Sequence, residues 1–265
     1  MDREYYEKYV RERFGIPYVS FRDLNDDVIE CIISSLEKIF REYPMVVTNI
    51  VSIGDRDNIN DQYNLIINSS KYKKIKWDDD FIVDDDLDMM ALALFDGPYK
   101  KRIKGEKFIK NDYMALAYFN CIKNKSLEEL DRDAEEGARI GYNPLHCDKF
   151  EFEIYHEIAH ILDYTLGLRY DKEFVNMVKK LSNKYRLVKK LVSEYATKDI
   201  KEDISELIAD AFSEYMMSDN PNYLVHFIGN YIDYKYNKYE NTKLFNINDR
   251  YKRHMVKARK YINGK

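Results

Sequence analysis

The chain opens with apolar residues at helical spacing and continues with short apolar runs. Residues 2–14 predict a charged helix that ends at Gly15, and residues 23–43 predict an amphipathic helix that Pro44 stops. Short runs of β-branched and other apolar residues follow, and we expect strands at 45–53 and 63–68. The runs at 89–95 and 113–120 are further strand candidates, but both contain Ala and Leu and are also compatible with helix. Together these elements predict a small mixed sheet with helices before and after it.

From Phe150 onward the apolar residues keep helical spacing. Helices are predicted at 150–166, 171–193, 201–217, 222–238 and 248–262. A small sheet combined with a helical C-terminal half indicates the α+β class. No Gly/Ser-rich or Pro-rich linker interrupts the chain. We therefore predict one main domain over residues 45–265, with a helical N-terminal attachment over residues 1–44.

Composition narrows the range of partners. Of the 265 residues, 45% are hydrophobic and 34% are charged, as in globular proteins, and the net charge of −4 predicts neither a nucleic-acid binder nor a membrane-surface protein. The three cysteines form no Cys-x-x-Cys pair, which favours a reducing compartment. The charged N-terminus has no apolar signal region, and no apolar run approaches the ~18 residues of a membrane span. We expect a cytoplasmic protein.

One short motif carries recognisable chemistry: His156-Glu157-Ile158-Ala159-His160, within the apolar helical segment that begins near Phe150. Histidines four positions apart share one face of a helix, so both imidazoles can reach a single Zn²⁺. Glu157 lies about 100° round the helix from His156. From there it reaches a water on the metal, for which it can act as general base. The motif predicts a zinc-dependent metallopeptidase site with one ion per chain.

A catalytic zinc site needs a third protein ligand and one open position for water. A metzincin has glycine and histidine three and six positions after the second histidine, where this chain has Asp163 and Leu166, so that class is excluded. The remaining common solution is a glutamate from a later helix. One later segment supplies acidic side chains at a spacing of four beside an apolar face: Glu202, Glu206 and Asp210.

On these motifs the chain resembles the catalytic domain of anthrax lethal factor and its relatives, which include proline-specific secreted endopeptidases and zincin domains of phage head-associated proteins. The resemblance covers about residues 150–220. It rests on three segments: His156 to Asp163, similar to HExxHxxD but with Ala159 at the usual glycine; Ser193 to Ala196, similar to a Ser-x-Tyr segment; and Glu206 to Tyr215, similar to Glu-Phe-Phe-Ala-Glu-Ala-Phe.

The resemblance implies a zincin-like fold, Zn²⁺, and hydrolysis of peptide bonds in a protein or peptide substrate, by a cytoplasmic or virion-associated enzyme. It implies that Tyr195 donates a hydrogen bond to the oxyanion of the reaction. The downstream Ala-Asp-Ala-Phe segment makes Glu206 the third ligand, whereas the family's spacing from the tyrosine makes it Glu202. We favour Glu206 and keep Glu202 as the alternative. Asp210 and Asp163 are then expected to support the metal-bound groups.

Two other interpretations stay open. Repressor-cleaving zincins of mobile elements also combine HExxH with a later acidic helix, but that helix usually lies closer to the motif and a helix-turn-helix often accompanies it. The other is a zincin that has lost its activity and serves as a toxin, capsid-associated or partner-binding module. The intact Glu157 argues against it, because a binding module has no need of the base. The walls of the groove carry no recognisable motif, so the predicted substrate stays at the level of a protein or peptide.

Overall fold

The computed structural model describes residues 3–44, 46–55, 92–96, 114–119, 122, 124–181, 185–197, 200 and 203–240. These residues fall into two compact units, of which the first ends at Lys125 and the second begins at Ser126. The predicted domain boundary between residues 44 and 45 lies inside the first unit, and as a boundary between folding domains it stays a prediction.

The first unit begins with two helices separated by a short strand. Helix α1 (Arg3–Phe14) ends at Gly15, whose φ of +72° is a conformation that glycine adopts without strain. Strand β1 (Tyr18–Ser20) follows, and then α2 (Asp26–Glu42). Both predicted helices are present, with ends within one turn of those expected. The buried residues of α2 recur at helical spacing: Val28, Ile29, Ile32, Ile33, Leu36, Ile39 and Phe40.

A four-stranded mixed sheet completes the described part of this unit. After a 3₁₀ turn (Val46–Asn49), strands β2 (Ile50–Asp55), β3 (Leu92–Asp96) and β4 (Met114–Phe119) join β1 in the order β1-β2-β4-β3. Strand β2 pairs in parallel with β1 and with β4, while β3 pairs antiparallel with β4. The sheet is therefore small and mixed, and it agrees with the predicted α+β class.

The individual strand predictions met with different outcomes. The runs at 89–95 and 113–120 correspond to β3 and β4. In the run at 45–53 the strand begins only at Ile50, because the preceding residues wind into the 3₁₀ turn. Strand β1 was not predicted, since three residues are too few for an alternating pattern to stand out. The strand predicted at 63–68 lies outside the described residues.

The second unit is helical throughout its described part. It contains five longer helices and one of two turns: α3 (Leu127–Ile140), α4 (Glu151–Leu166), α5 (Lys172–Leu181), α6 (Tyr185–Leu191), α7 (Ser205–Met217) and α8 (Tyr223–Glu240). Short 3₁₀ turns lie between them at Leu168–Tyr170 and Tyr195–Thr197. None of the described helices is both long enough and apolar enough to cross a membrane.

One of these helices corrects the sequence prediction. Helix α3 was not expected, although it begins with a capping box in which Ser126 and Glu129 bind each other's backbone N–H, at 3.3 Å and 2.8 Å. It ends at Gly141, with φ +75°. Of the single helix predicted over 171–193, the structure describes two stretches, α5 and α6, and residues 182–184 between them lie outside the description. The helix predicted at 248–262 also lies outside it.

Helices α4 and α7 pack against each other and form the centre of this unit. Small residues in the two helices, Ala159 and Ala209, are fully buried, and Ser213 donates a hydrogen bond across the pair to the carbonyl of Phe152 at 3.2 Å. Around them lie fully buried aromatic residues such as Tyr155 and Phe212. Burial of a side chain of this size stabilises the fold by about 1.5–3 kcal/mol.

On its other side α7 packs against α8. The two helices approach closely at Gly229, where a Cβ atom would lie 2.3 Å from Cγ of Tyr215. The Tyr215 hydroxyl donates to the Asp233 carboxylate at 2.8 Å, which fixes the direction of the ring. Helix α7 is thus held between α4 and α8.

Candidate metal centre

Helix α4 places two imidazoles side by side. His156 and His160 are one helical turn apart, their ring centroids are 4.9 Å apart, and their Nε2 atoms are 3.2 Å apart. His156 is buried, and His160 is mostly enclosed. The Nε2 atoms of both rings lie close together, as they do when two histidines at this spacing share an ion.

The third group comes from the first turn of α7. Oε2 of Glu206 lies 3.2 Å from Nε2 of His156 and 3.7 Å from Nε2 of His160. Within the described part of the chain, these three residues are the one cluster of histidine, cysteine and acidic side chains that can hold a metal ion. Glu202, the alternative third ligand, lies outside the described residues, so that alternative stays untested.

Asp210 binds the other ring nitrogen of His156. Its Oδ1 lies 2.8 Å from Nδ1 of His156, and both side chains are buried. Because a carboxylate only accepts hydrogen bonds, Nδ1 carries a proton, and Nε2 is the ring nitrogen that faces Glu206 and His160. Asp210 is one helical turn after Glu206, so the same helix supplies a group on each side of the His156 ring.

The protonation of the two histidines differs because their surroundings differ. Burial, together with the neighbouring charge of His156, lowers the pKa of His160 to about 3, so this imidazole is neutral. Burial also acts to lower the pKa of His156, but the hydrogen bonds to Asp210 and Glu206 outweigh burial and raise it well above 6.5. Without a metal, His156 therefore carries a proton that a metal must displace.

The segment around Tyr195 is tied to this carboxylate. The Ser193 hydroxyl donates to Asp210 and accepts from the backbone N–H of Ala196, the latter at 2.7 Å. The Tyr195 ring lies edge-on to the His156 ring with centroids 5.8 Å apart. On its other side it contacts the ring of Tyr142 at 5.5 Å, and its backbone N–H donates to the Tyr142 carbonyl at 3.2 Å.

Tyr195 is a neutral phenol beside the three-residue cluster. Burial, followed by the nearby charges of Glu206 and Asp210, raises its pKa far above 10. A phenol in that state keeps its proton at neutral pH and can donate a hydrogen bond to an oxygen that gains negative charge.

Glu157 follows the first histidine on α4 and is 9% exposed. Its negative charge is among the causes that raise the pKa of His156 and of Tyr195. A buried carboxylate that directly follows a candidate metal ligand is suited to take up a proton.

Asp163 serves a different partner from the expected one. It is fully buried in the last turn of α4, and its two oxygens accept from the backbone N–H and the Nε–H of Arg169, at 2.9 Å and 2.5 Å. Both of its oxygens therefore bind Arg169 and not a histidine. Arg169 in turn is one of the charges that lower the pKa of His160.

Sequence reasoning overlooked two contributors to this site. Ser193 belongs to the Ser-x-Tyr segment, but nothing in that segment indicates that its hydroxyl binds Asp210. Arg169 carries no motif at all, because its partners are defined by a turn of the chain and by a residue far along it. Comparison of the chain with models of protein families, with curated proteins and with solved structures gives no match.

Proposed function

We propose that this protein is a zinc-dependent endopeptidase with a zincin-like domain of the lethal factor type. The observation that carries the proposal is the meeting of His156, His160 and Glu206 at one point, with the buried Glu157 beside it. The proposal extends to a protein or peptide as substrate, because the resemblance of the motifs implies one.

The distances between the ligand atoms support zinc. Tetrahedral zinc with bonds of ~2.0–2.2 Å to nitrogen and oxygen keeps its ligand atoms about 3.3 Å apart. The three separations here are 3.2 Å, 3.2 Å and 3.7 Å. Two neutral imidazoles and one carboxylate are also the ligand set of many catalytic zinc sites, in which a fourth position stays open for water. The donor set therefore fits the ion.

Within this proposal each residue has one task. His156, His160 and Glu206 hold the zinc, and the ion supplies Lewis acidity toward water and the substrate carbonyl. Glu157 accepts the proton of the attacking water and passes it to the leaving amine. Tyr195 donates a hydrogen bond to the oxyanion. Asp210 keeps the His156 ring in the orientation and tautomer that its task requires.

The decisive experiment combines metal analysis with a cleavage assay. The purified protein should contain about one zinc per chain and should cleave unfolded β-casein or members of a quenched fluorogenic peptide library. Cleavage should stop with 1,10-phenanthroline, which chelates zinc, and continue with 1,7-phenanthroline, which does not. Absence of zinc would contradict the site. Bound zinc without cleavage of any library member would favour a binding module over an enzyme.

A further inference from the structure

Arg169 joins the two helices that carry the candidate metal ligands. It lies in the 3₁₀ turn after α4, and Gly167, with φ +66°, turns the chain so that Arg169 comes back onto the end of that helix. Its side chain is 11% exposed, and its guanidinium lies over the ring of Tyr164 with 4.4 Å between the guanidinium carbon and the ring centroid. This arginine is therefore held inside the unit.

On the side of α4, Arg169 occupies both oxygens of Asp163, as described above. Asp163 is three residues after His160, so this contact fixes the arginine to the turn of helix that follows a metal ligand. A planar guanidinium with a neighbouring backbone N–H gives this contact a defined direction, which a lone ammonium group does not provide.

On the side of α7, Arg169 reaches Asp203, which lies just before the helix. Its NH1 group donates to Oδ2 of Asp203 at 3.3 Å, while Oδ1 of the same carboxylate accepts from the backbone N–H of Ser205 at 2.9 Å. Ser205 is the first residue of α7 and Glu206 is the second. The residue of this segment that Arg169 contacts, Asp203, is thus three residues before the third candidate ligand, Glu206.

We propose that Arg169 is a positioning residue of the metal centre, which sets the Glu206 carboxylate relative to the two histidines through Asp163 and Asp203. This inference rests on the proposed function. Buried residues pack α7 from its first turn onward, Ser205 and Leu207 among them, but the Glu206 side chain is only partly enclosed. Glu206 lies in the first turn, where backbone N–H groups lack helical partners and helices fray. The contact with Arg169 holds that end in place.

The test measures metal affinity and therefore needs no substrate. Co²⁺ replaces zinc in such sites and absorbs visible light in a geometry-dependent way. Arg169→Met, which keeps an apolar stem over Tyr164, should weaken Co²⁺ binding by about 10–100-fold, as loss of supporting contacts typically does, and should change the visible spectrum. Arg169→Lys, which keeps the charge but not the fork, should restore part of the affinity.

A matched control and a second variant make the outcome decisive. Lys235→Met removes another largely buried ion pair of this unit, with Asp171, and should lower thermal stability without changing Co²⁺ affinity or spectrum. Should Arg169→Met fail to fold, Asp203→Asn provides the test. Asp203 is exposed, and the amide oxygen of the variant can still accept from the backbone N–H of Ser205. Unchanged affinity in the folded variants overturns the inference. If the wild type binds no metal, the proposed function itself fails.

Discussion

The Nδ1 atom of His156 lies 2.8 Å from Oδ1 of Asp210, across the packed pair of helices α4 and α7. The other oxygen of Asp210 accepts from Ser193, so one carboxylate orients an imidazole and also anchors the segment that carries Tyr195. Metal affinity and the placement of the phenol consequently depend on the same buried group.

Replacing that carboxylate should weaken the metal site without removing a ligand. We expect Asp210→Asn to reduce zinc affinity by about 10–100-fold, because the amide keeps the shape but removes the charge that supports the imidazole. Competition with a fluorescent zinc chelator measures the change. Glu214→Gln, which alters another buried carboxylate of the same helix, is the matched control. Equal affinities in both variants would contradict the assigned role of Asp210.

The identity of the third ligand can be settled by a pair of substitutions. Glu206→Ala should be purified with little zinc, since it removes an atom that lies 3.2 Å and 3.7 Å from the two imidazole nitrogens. Glu202→Ala should keep its zinc. Elemental analysis of both proteins gives the answer, and the reverse result would assign the role of ligand to Glu202.

Loss of the base should separate chemistry from metal binding. In Glu157→Gln the amide cannot accept the proton of the attacking water, so cleavage should fall by about 10²–10⁴-fold. The zinc content should stay at the wild-type value because Glu157 is not a ligand. Casein cleavage and elemental analysis on the same preparation test both statements. Wild-type cleavage by this variant would exclude α4 as the catalytic element.

The hydroxyl of Tyr195 should affect turnover and leave the metal in place. Tyr195→Phe removes the donor to the oxyanion and should lower kcat by roughly 10²–10³-fold while KM changes little. Tyr142→Phe is a matched control, since it deletes the hydroxyl of the adjacent ring and keeps the ring contact. If both variants lose the same amount of activity, Tyr195 has no special part in the reaction.

Zinc binding should release a proton near neutral pH. Asp210 and Glu206 raise the pKa of His156 well above 6.5 despite its burial, so the metal-free protein holds a proton there that zinc displaces. His160 is already neutral. Affinity should accordingly rise as pH increases above 6.5 toward the raised pKa. Calorimetry in two buffers of different ionisation heat counts the proton. No release at pH 7 would contradict this protonation state.

Sequence reasoning reached the features that depend on neighbouring residues. The spacing of His156 and His160 shows directly which helix face they share, and the apolar periodicity located α4, α7 and α8. It missed α3, even though Ser126 and Glu129 have the capping-box spacing, because charged residues dilute the apolar stripe of that helix.

Features that depend on the packing of distant segments could not be predicted from the sequence. Two glutamates one turn apart look alike along the chain, and the contact between α4 and α7 is what brings Glu206 to the imidazoles. The partner of Asp163 could not be found either, because a turn at Gly167 directs Arg169 back to it. The length of such a turn leaves no periodic pattern in the sequence.

The contact between Gly229 and Tyr215 has a consequence for how freely this protein can vary. Even one methyl group at position 229 would overlap the ring, whose hydroxyl is held by Asp233 and cannot swing aside. A survey of all substitutions in this unit should therefore find residue 229 as intolerant as the proposed metal ligands. A residue with no side chain, remote from any chemistry, thus sets a limit on the evolution of the helix that supplies Glu206.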